Sequence, residues 1–186
     1  MSLLHTFGIP TLFLTAALAL PGPAQSAGSG DDSDPPQKTE TTTTCEEGLV
    51  WDEEKKECVK PDDQSLNDDE RFRAVREYAY YGSPEAGLAV LAAMTEGDTD
   101  RVMTYRGFLS RKAGDVETGM MWYARALELN PDNLLARSYR GQAFVEQGRI
   151  DLARLELDEI VARGGAGGWP ERSLRQAIAT GQTVSY

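Results

Sequence analysis

Two short stretches of the sequence reveal an internal repeat. Residues 104–107 read Thr-Tyr-Arg-Gly and residues 138–141 read Ser-Tyr-Arg-Gly, so the same motif returns after 34 residues. Gly114 returns as Gly148 at the same offset. A fixed period of this length is typical of proteins built from stacked supersecondary units. The sequence therefore predicts an all-α fold in which similar helix pairs follow one another along the chain.

Each period predicts two helices joined by a short glycine turn. The segment from Val102 to Lys112 has the pattern of a helix, and Gly114 follows it. Asp115 is a favourable N-cap for a second helix. We expect that helix to end at Leu129, because the residue before Pro131 is biased away from helical geometry.

An earlier copy of the unit surrounds Gly82, where Ser83 and Pro84 supply an N-cap and a first-turn proline. We expect three helix pairs, over residues 67–98, 99–133 and 134–163. A single pair cannot bury its apolar face, so about three must stack to form a continuous core. Residues 164–186 add a capping helix, starting at Trp169, and a frayed tail.

The stretch WYARALELNPDN at residues 122–133 resembles the second helix and linker of the tetratricopeptide repeat family. The resemblance covers about residues 67–163 and implies an α-solenoid of three helix-turn-helix repeats. The third repeat departs from the family pattern, because Gly164 and Gly165 stand where the proline is expected. Structural roles, in turns or in close helix contacts, fall to Gly82, Gly107, Gly114, Gly119, Tyr123, Ala126, Pro131, Gly141, Gly148 and Ala153.

The resemblance also implies a binding groove lined by the first helix of each pair. By position, the groove residues would be Phe72, Arg76, Tyr80, Arg101, Thr104, Phe108, Arg111, Ser138, Gln142 and Val145. This mixture of aromatic and arginine side chains suits a protein or peptide partner. The aromatic members Phe72, Tyr80 and Phe108 are equally well explained as packing residues. Family members that bind the acidic C-terminus of cytosolic chaperones need lysine and asparagine where this chain has Thr104 and Phe108, so that activity is not implied.

Cys45 and Cys58 are the two cysteines of the chain. In an exported protein such a pair indicates a disulfide, which would close a small loop over residues 45–60. A redox-active pair is the weaker alternative, because neighbouring carboxylates raise a thiol pKa instead of lowering it. Trp51 within the loop either covers the disulfide or stacks on a ligand.

The N-terminal region predicts export. An apolar run from Phe7 to Leu20 is too short to span a membrane, and small residues at 24–27 fit a signal-peptidase site. We therefore expect residues 1–27 to be a signal peptide, with an uncleaved anchor as the alternative, since no lysine or arginine precedes the run. Residues 28–44 read as a disordered acidic linker. The spacing of Asp31, Asp32 and Asp34 lacks the features of a calcium loop, and no metal site is predicted.

Charge and composition exclude several classes of function. The formal charge of −11 argues against nucleic-acid binding, and residues 28–63 alone carry −8 of it. The single histidine, His5, lies in the predicted signal peptide, so the mature chain lacks the imidazole of common nucleophile systems. No Ser-x-x-Lys or Gly-x-Ser-x-Gly motif occurs. We expect no catalytic residues, no cofactor and no enzyme activity.

The resulting hypothesis is a periplasmic protein-interaction scaffold of a Gram-negative bacterium, active in envelope assembly or maintenance. It is not expected to insert into the membrane after signal cleavage. The alternative is a polysaccharide-binding module, acting through Trp51 in the Cys45–Cys58 loop, with the repeats as a spacer. A further hypothesis is self-binding, in which the acidic linker folds over an arginine-bearing groove.

Overall fold

The computed structural model describes Met1 and residues 34–183 of the chain. The predicted signal peptide, the first part of the linker and residues 184–186 lie outside the described residues. Of the described part, 61% is helical. The prediction of an all-α fold is confirmed at this level.

Eight helices and two short strands follow one another in the described part. They are α1 (Glu40–Thr43), β1 (Val50–Asp52), β2 (Glu57–Val59), α2 (Asp68–Tyr81), α3 (Pro84–Ala92), α4 (Asp100–Lys112), α5 (Val116–Leu129), α6 (Leu134–Glu146), α7 (Ile150–Ala162) and α8 (Trp169–Thr180). Helix α2 packs on α3, α4 on α5, and α6 on α7. Helices α3 and α5 contact the helix that follows them, α2 contacts α4, α4 contacts α6, and α8 packs on α6 and α7.

The helix ends follow from local capping chemistry. The side chains of Ser83, Thr99, Asp115 and Asn133 each accept a hydrogen bond from a first-turn backbone N–H of α3, α4, α5 and α6. The turns after α4 and α6 use Gly114 and Gly148, with φ of 95° and 71°. Backbone in this left-handed region favours glycine, which explains why both turns have glycine at this position.

Glycines also allow helices to approach closely. A Cβ atom on Gly107 would lie 2.7 Å from the Tyr123 ring and 3.0 Å from the carbonyl oxygen of Gly119. A Cβ atom on Gly119 would lie 2.9 Å from the carbonyl oxygen of Gly107. Helices α4 and α5 therefore touch backbone to backbone. One period later, a Cβ atom on Gly141 would lie 2.6 Å from a methyl group of Leu174 in α8.

The remaining residues with predicted structural roles are placed as follows. Tyr123, Ala126 and Ala153 are fully buried, Gly82 forms the C-cap of α2, and the Pro131 carbonyl accepts two hydrogen bonds from Arg137 in the α5–α6 connection.

A cluster of aromatic rings forms the centre of the core. Tyr80 of α2 stacks on Phe108 of α4 at 5.7 Å between centroids, and Phe108 contacts Tyr139 of α6 at 4.4 Å. The Tyr80 and Tyr139 hydroxyls are 2.5 Å apart, so their polar ends are satisfied inside the core. The face shared by α2, α4 and α6 is thus a packed aromatic layer.

The segment before α2 is ordered, in contrast to part of the sequence prediction. Residues 28–44 were expected to form a disordered linker, but residues 39–44 fold into α1 and its caps. The cause is Glu77 of α2, which is 2% exposed. Its carboxylate accepts hydrogen bonds from the backbone N–H and hydroxyl of both Thr39 and Thr42. The threonines that look featureless in sequence therefore satisfy a buried charge.

The disulfide loop packs on the same helix. Cys45 and Cys58 are bonded, with Cα atoms 5.5 Å apart, and β1 pairs with β2 in an antiparallel hairpin. The Tyr78 hydroxyl donates to the Leu49 carbonyl and accepts from the Gly48 N–H. Val50 and Val59 belong to the same core cluster as α2. The loop and the Thr39–Thr42 segment together cover α2, so the loop is continuous with the helical core.

Buried tyrosines predict sensitivity to alkali. Burial raises the pKa of Tyr123 to about 12, and it also raises the pKa of Tyr105 and Tyr139. The unfolded chain releases these protons near pH 10 while the folded chain retains them, so the free energy of unfolding falls as pH rises above about 10. Tyrosinate absorbance and far-ultraviolet circular dichroism should change together in one cooperative step. Tyr123→Phe should lower the pH slope by about one proton; gradual ionisation with the helices intact would contradict the burial of these side chains.

Candidate functional site

One pocket of about 460 Å³ opens where the N-terminal ends of α4, α6 and α8 come together. Its volume lies in the range of pockets that bind ligands. It is lined by Phe72, Asp100, Arg101, Thr104, Tyr105, Asn130, Asn133, Leu134, Leu135, Gly164, Gly165, Ala166, Gly168 and Pro170. Eight of these fourteen residues have no polar side-chain atom. Four of the polar residues, Asp100, Thr104, Asn130 and Asn133, are joined by hydrogen bonds.

The glycine-rich connection between α7 and α8 forms one wall of the pocket. Gly164 and Gly167 have φ of 85° and 77°, which lets the chain turn twice within a few residues. Gly165 is pressed against the core, because a Cβ atom there would lie 2.7 Å from Ile160 and 2.9 Å from Leu134. Ala166 is left exposed at the pocket. The departure from the expected proline therefore builds this wall.

The polar side of the pocket is organised around Asp100 at the start of α4. Its Oδ2 atom accepts hydrogen bonds from Asn130 Nδ2 at 2.7 Å and Asn133 Nδ2 at 2.9 Å. Asn133 Nδ2 also donates to the Thr104 hydroxyl at 3.1 Å. Asp100 thus ties the α5–α6 connection to α4 and holds a carboxylate at the pocket.

Arg101 stands next to Asp100 and is already paired. Its Nε donates to Glu96 Oε1 at 2.8 Å, and its Nη2 lies 2.9 Å from Asp69 Oδ1. The hydrogen bonds to Glu96 are the main reason why the pKa of Arg101 lies above its usual value. The guanidinium also stacks 4.6 Å from the centre of the Phe72 ring. Arg101 therefore forms a fixed wall of the pocket.

The residues predicted to line a groove have mixed positions. Eight are buried, namely Phe72, Tyr80, Thr104, Phe108, Arg111, Ser138, Gln142 and Val145. Arg76 and Arg101 are partly exposed. Three of the ten predicted residues, Phe72, Arg101 and Thr104, line the pocket. Tyr80 and Phe108 thus have the packing role that was their alternative interpretation, whereas Phe72 both packs in the core and lines the pocket.

Two local causes explain much of this burial. Helix α8 covers α6, where the Ser138 hydroxyl lies 3.0 Å from that of Ser173, and Gln142 Nε2 contacts the Ser138 hydroxyl. Arg111 turns inward, donating to Glu146 Oε1 at 2.5 Å and to the Tyr123 hydroxyl at 3.4 Å. The Ser138–Ser173 contact lies inside the core, and Arg111 is buried although its partner Glu146 is exposed at the end of α6.

The acidic linker reaches the groove face at one point. Arg76 Nη2 donates to the backbone carbonyl of Asp34 at 2.6 Å. Glu47, in the disulfide loop, accepts a hydrogen bond from the Ser83 N–H at the start of α3. Asp31 and Asp32 lie outside the described residues. The described part of the linker therefore packs on α2, where Arg76, Glu77 and Tyr81 all bond to it.

Trp51, the residue of the alternative polysaccharide hypothesis, is half-buried in the hairpin. It lies opposite Cys58 in the sheet register, and its backbone N–H donates to the Thr41 hydroxyl. The depression beside it holds only about 50 Å³. This space is too small for a sugar ring, and the exposed part of Trp51 is its remaining means of ligand contact.

The geometry defines what the site can do chemically. Within residues 34–183 and Met1, no group of three or more histidine, cysteine or acidic side chains is placed to hold a metal ion. In the same part of the chain, none of the helices is both long and apolar enough to cross a bilayer.

The pocket joins an apolar surface to a single anchored carboxylate, an arrangement suited to binding.

Most of the residues that line the pocket were not predicted as site residues. They include Asp100, Asn130, Asn133 and Leu134. A signal for two of them was present, since Asn130 and Asn133 flank the Pro131-Asp132 connection, where asparagine side chains cap and turn the chain. The glycine-rich connection between α7 and α8 was visible in the sequence only as a departure from the family pattern, which gave no indication of a pocket wall.

No protein-family model matches the sequence, and no curated protein or solved structure is significantly similar to it. The class of protein is therefore defined by the fold itself: an all-α protein with an open, largely apolar pocket at the helix ends.

Proposed function

We propose that this chain is a non-catalytic scaffold or adaptor of the tetratricopeptide type, which binds a protein or peptide through the face where the pocket opens. One observation carries this proposal: the N-termini of α4, α6 and α8 and a glycine-rich connection enclose a 460 Å³ pocket that is open to solvent. Open apolar clefts with a few fixed polar groups are the surfaces on which peptide side chains anchor.

The repeat assignment has support from equivalent positions. Residues 34 apart have the same tasks: Gly114 and Gly148 form positive-φ turns, and Tyr105 and Tyr139 are buried. Each helix pair packs on the next, which is the arrangement that an α-solenoid requires. The N-terminal disulfide loop and α8 would then be the two ends that cap the repeats.

We further propose that the protein acts in the periplasm of a Gram-negative bacterium, in envelope assembly or maintenance. The bonded pair Cys45–Cys58 is compatible with an oxidising compartment, where such bonds persist. The predicted signal peptide supplies the route of export.

The test is site-specific photo-crosslinking of the full chain in its native host, followed by fractionation. A photoreactive residue at Ala166, exposed at the pocket, should give a discrete protein adduct in the periplasmic fraction. The same residue at exposed Arg125 on α5 should give none. Adducts at exposed Glu54 in the hairpin alone would favour the polysaccharide-loop alternative or another loop partner. Equal adducts at Ala166 and Arg125, or no adduct at Ala166, would contradict the proposal.

A further inference from the structure

The charges around the pocket are unbalanced in one direction. Arg101 is engaged by Glu96 and Asp69 through hydrogen bonds and ion pairs, so its positive charge is already neutralised by two carboxylates. Asp100 adds a third carboxylate. Among the described residues, no cationic side chain forms an ion pair with Asp100, so its negative charge is the one left uncompensated at the pocket. An anionic ligand would be repelled, whereas a cation would be attracted.

Asp100 has unused hydrogen-bonding capacity. Both amide hydrogen bonds, from Asn130 and Asn133, reach its Oδ2 atom. Within the described residues, no hydrogen bond or ion pair reaches the Oδ1 atom of Asp100. An ionised carboxylate has about four lone-pair sites, so a further donor can bind without displacing an internal contact. The carboxylate is also held in place by the two amides, which lowers the ordering cost of binding.

The apolar part of the pocket adjoins this carboxylate. Phe72, Leu134 and Pro170 line the same cavity as Asp100, and Ala166 leaves space at the opening. Space for one large aromatic or aliphatic side chain thus lies beside an attachment point for a cation. This combination of an apolar anchor and a neighbouring charge pair is how many peptide interfaces obtain affinity and register.

From this juxtaposition we propose that the pocket binds a peptide segment in which a large apolar residue lies next to lysine or arginine. The apolar side chain enters between Phe72 and Pro170, and the basic group pairs with Asp100. This inference rests on the proposed function and specifies its partner class. The chain's own residues 28–63 are a poor occupant, because their net charge of −8 has the same sign as the Asp100 carboxylate.

The experiment is selection of a phage-displayed library of random 12-residue peptides on the immobilised full chain. Recovered peptides should pair an aromatic or long aliphatic residue with lysine or arginine within two positions. Ala166→Trp, which fills the opening, should reduce recovery at least tenfold. Ala162→Trp is the matched control, because Ala162 is exposed at the end of α7 and does not line the pocket. Enrichment of acidic peptides, or equal recovery on both variants, would overturn the inference.

The charge pairing is tested with the most enriched peptide, labelled with fluorescein, by anisotropy titration at several salt concentrations. Asp100→Asn keeps an acceptor for the two asparagines and removes the charge, so affinity should fall about fivefold to tenfold and depend less on salt. Asp98→Asn, an exposed acid outside the pocket, should leave affinity unchanged. Equal effects of the two variants, or no effect of either, would overturn the role of Asp100.

The outcomes also separate this inference from the proposed function. Adducts at Ala166 in the native host, combined with selection of acidic or neutral peptides, would leave the scaffold function standing and remove the basic-partner inference. Concentration-dependent self-association that Ala166→Trp abolishes, measured by sedimentation velocity, would show a second copy in the pocket and would also remove it. Absence of both adducts and recovered peptides would remove both.

Discussion

A Gly107→Leu chain should lose cooperative folding or be destabilised by about 3 kcal/mol or more. A Cβ atom at this position would lie 2.7 Å from the Tyr123 ring and 3.0 Å from the Gly119 carbonyl oxygen. The Tyr123 ring is fully buried, and the carbonyl belongs to the backbone of α5. Neither neighbour can move aside cheaply, so a leucine must separate α4 from α5. Thermal and urea unfolding followed by circular dichroism measure the effect.

The matched control is Ala113→Leu, because Ala113 is an exposed residue at the end of the same helix. This variant should unfold within about 0.5 kcal/mol of the parent chain, as surface substitutions usually do. Gly119→Ala offers a graded version, since its Cβ would lie 2.9 Å from the Gly107 carbonyl oxygen. Gly107→Leu melting like the Ala113→Leu control would show that α4 and α5 are not in close contact.

The double variant Cys45→Ser/Cys58→Ser should be less stable than the parent chain by about 3 kcal/mol, as loop-closure entropy gives for a loop of roughly 15 residues. Loss of the disulfide has a second consequence, because the hairpin and the Thr39–Thr42 segment cover α2 together. Releasing the loop loosens the hairpin around Val50, which is 1% exposed. The hairpin also holds the Thr39–Thr42 segment, through the hydrogen bond from the Trp51 N–H to the Thr41 hydroxyl. Trypsin cleavage after Lys38, next to this segment, should therefore become faster in the double variant.

The measurements are urea unfolding and a proteolysis time course, each with and without a reducing agent. The parent chain should approach the stability of the double variant when it is reduced, and the double variant should not respond to the reductant. This insensitivity is the internal control for effects of the reductant on the rest of the chain. Unchanged stability together with unchanged cleavage after Lys38 would contradict a structural role for the Cys45–Cys58 bond.

Helix positions were largely predictable from the sequence, for local reasons. The second helix of the middle pair begins at Val116 and ends at Leu129, as Asp115 and Asn130-Pro131 indicate. Capping residues and left-handed glycines act over a few residues, so their meaning is readable without knowledge of the rest of the fold. The first helix of that pair starts at Asp100, two residues earlier than the pattern suggested, because Thr99 serves as its N-cap.

The N-terminal cover was not predictable, because its cause is a contact between distant residues. Glu77 lies on α2 among acidic and basic neighbours and has no distinguishing local pattern. Only the fold shows that it is buried and that Thr39 and Thr42 supply its donors. Likewise, β2 contains a single apolar residue besides Cys58, and its pairing with β1 depends on the turn and the disulfide.

Only part of the candidate site was predicted, because its shape also depends on contacts between residues that are distant in the sequence. Family positions identified the correct helices, and Phe72, Arg101 and Thr104 do line the pocket. The sequence pattern alone does not show which side of a first helix faces a neighbouring first helix and which side faces solvent. The pocket also depends on the connection at residues 164–168, whose path follows from the contacts of Gly165 with Ile160 and Leu134.

The most direct test of the helix-packing account is a nuclear Overhauser measurement on the isotope-labelled chain. We expect cross-peaks from the Gly107 Hα protons to the Tyr123 ring and from the Gly141 Hα protons to the Leu174 methyl groups. Both glycines face these side chains across a helix contact. Both sets of cross-peaks in one sample would show that each of two glycines 34 residues apart lies at a close helix contact, with α5 in one case and α8 in the other. Helical chemical shifts in α4–α8 without either set would contradict the account.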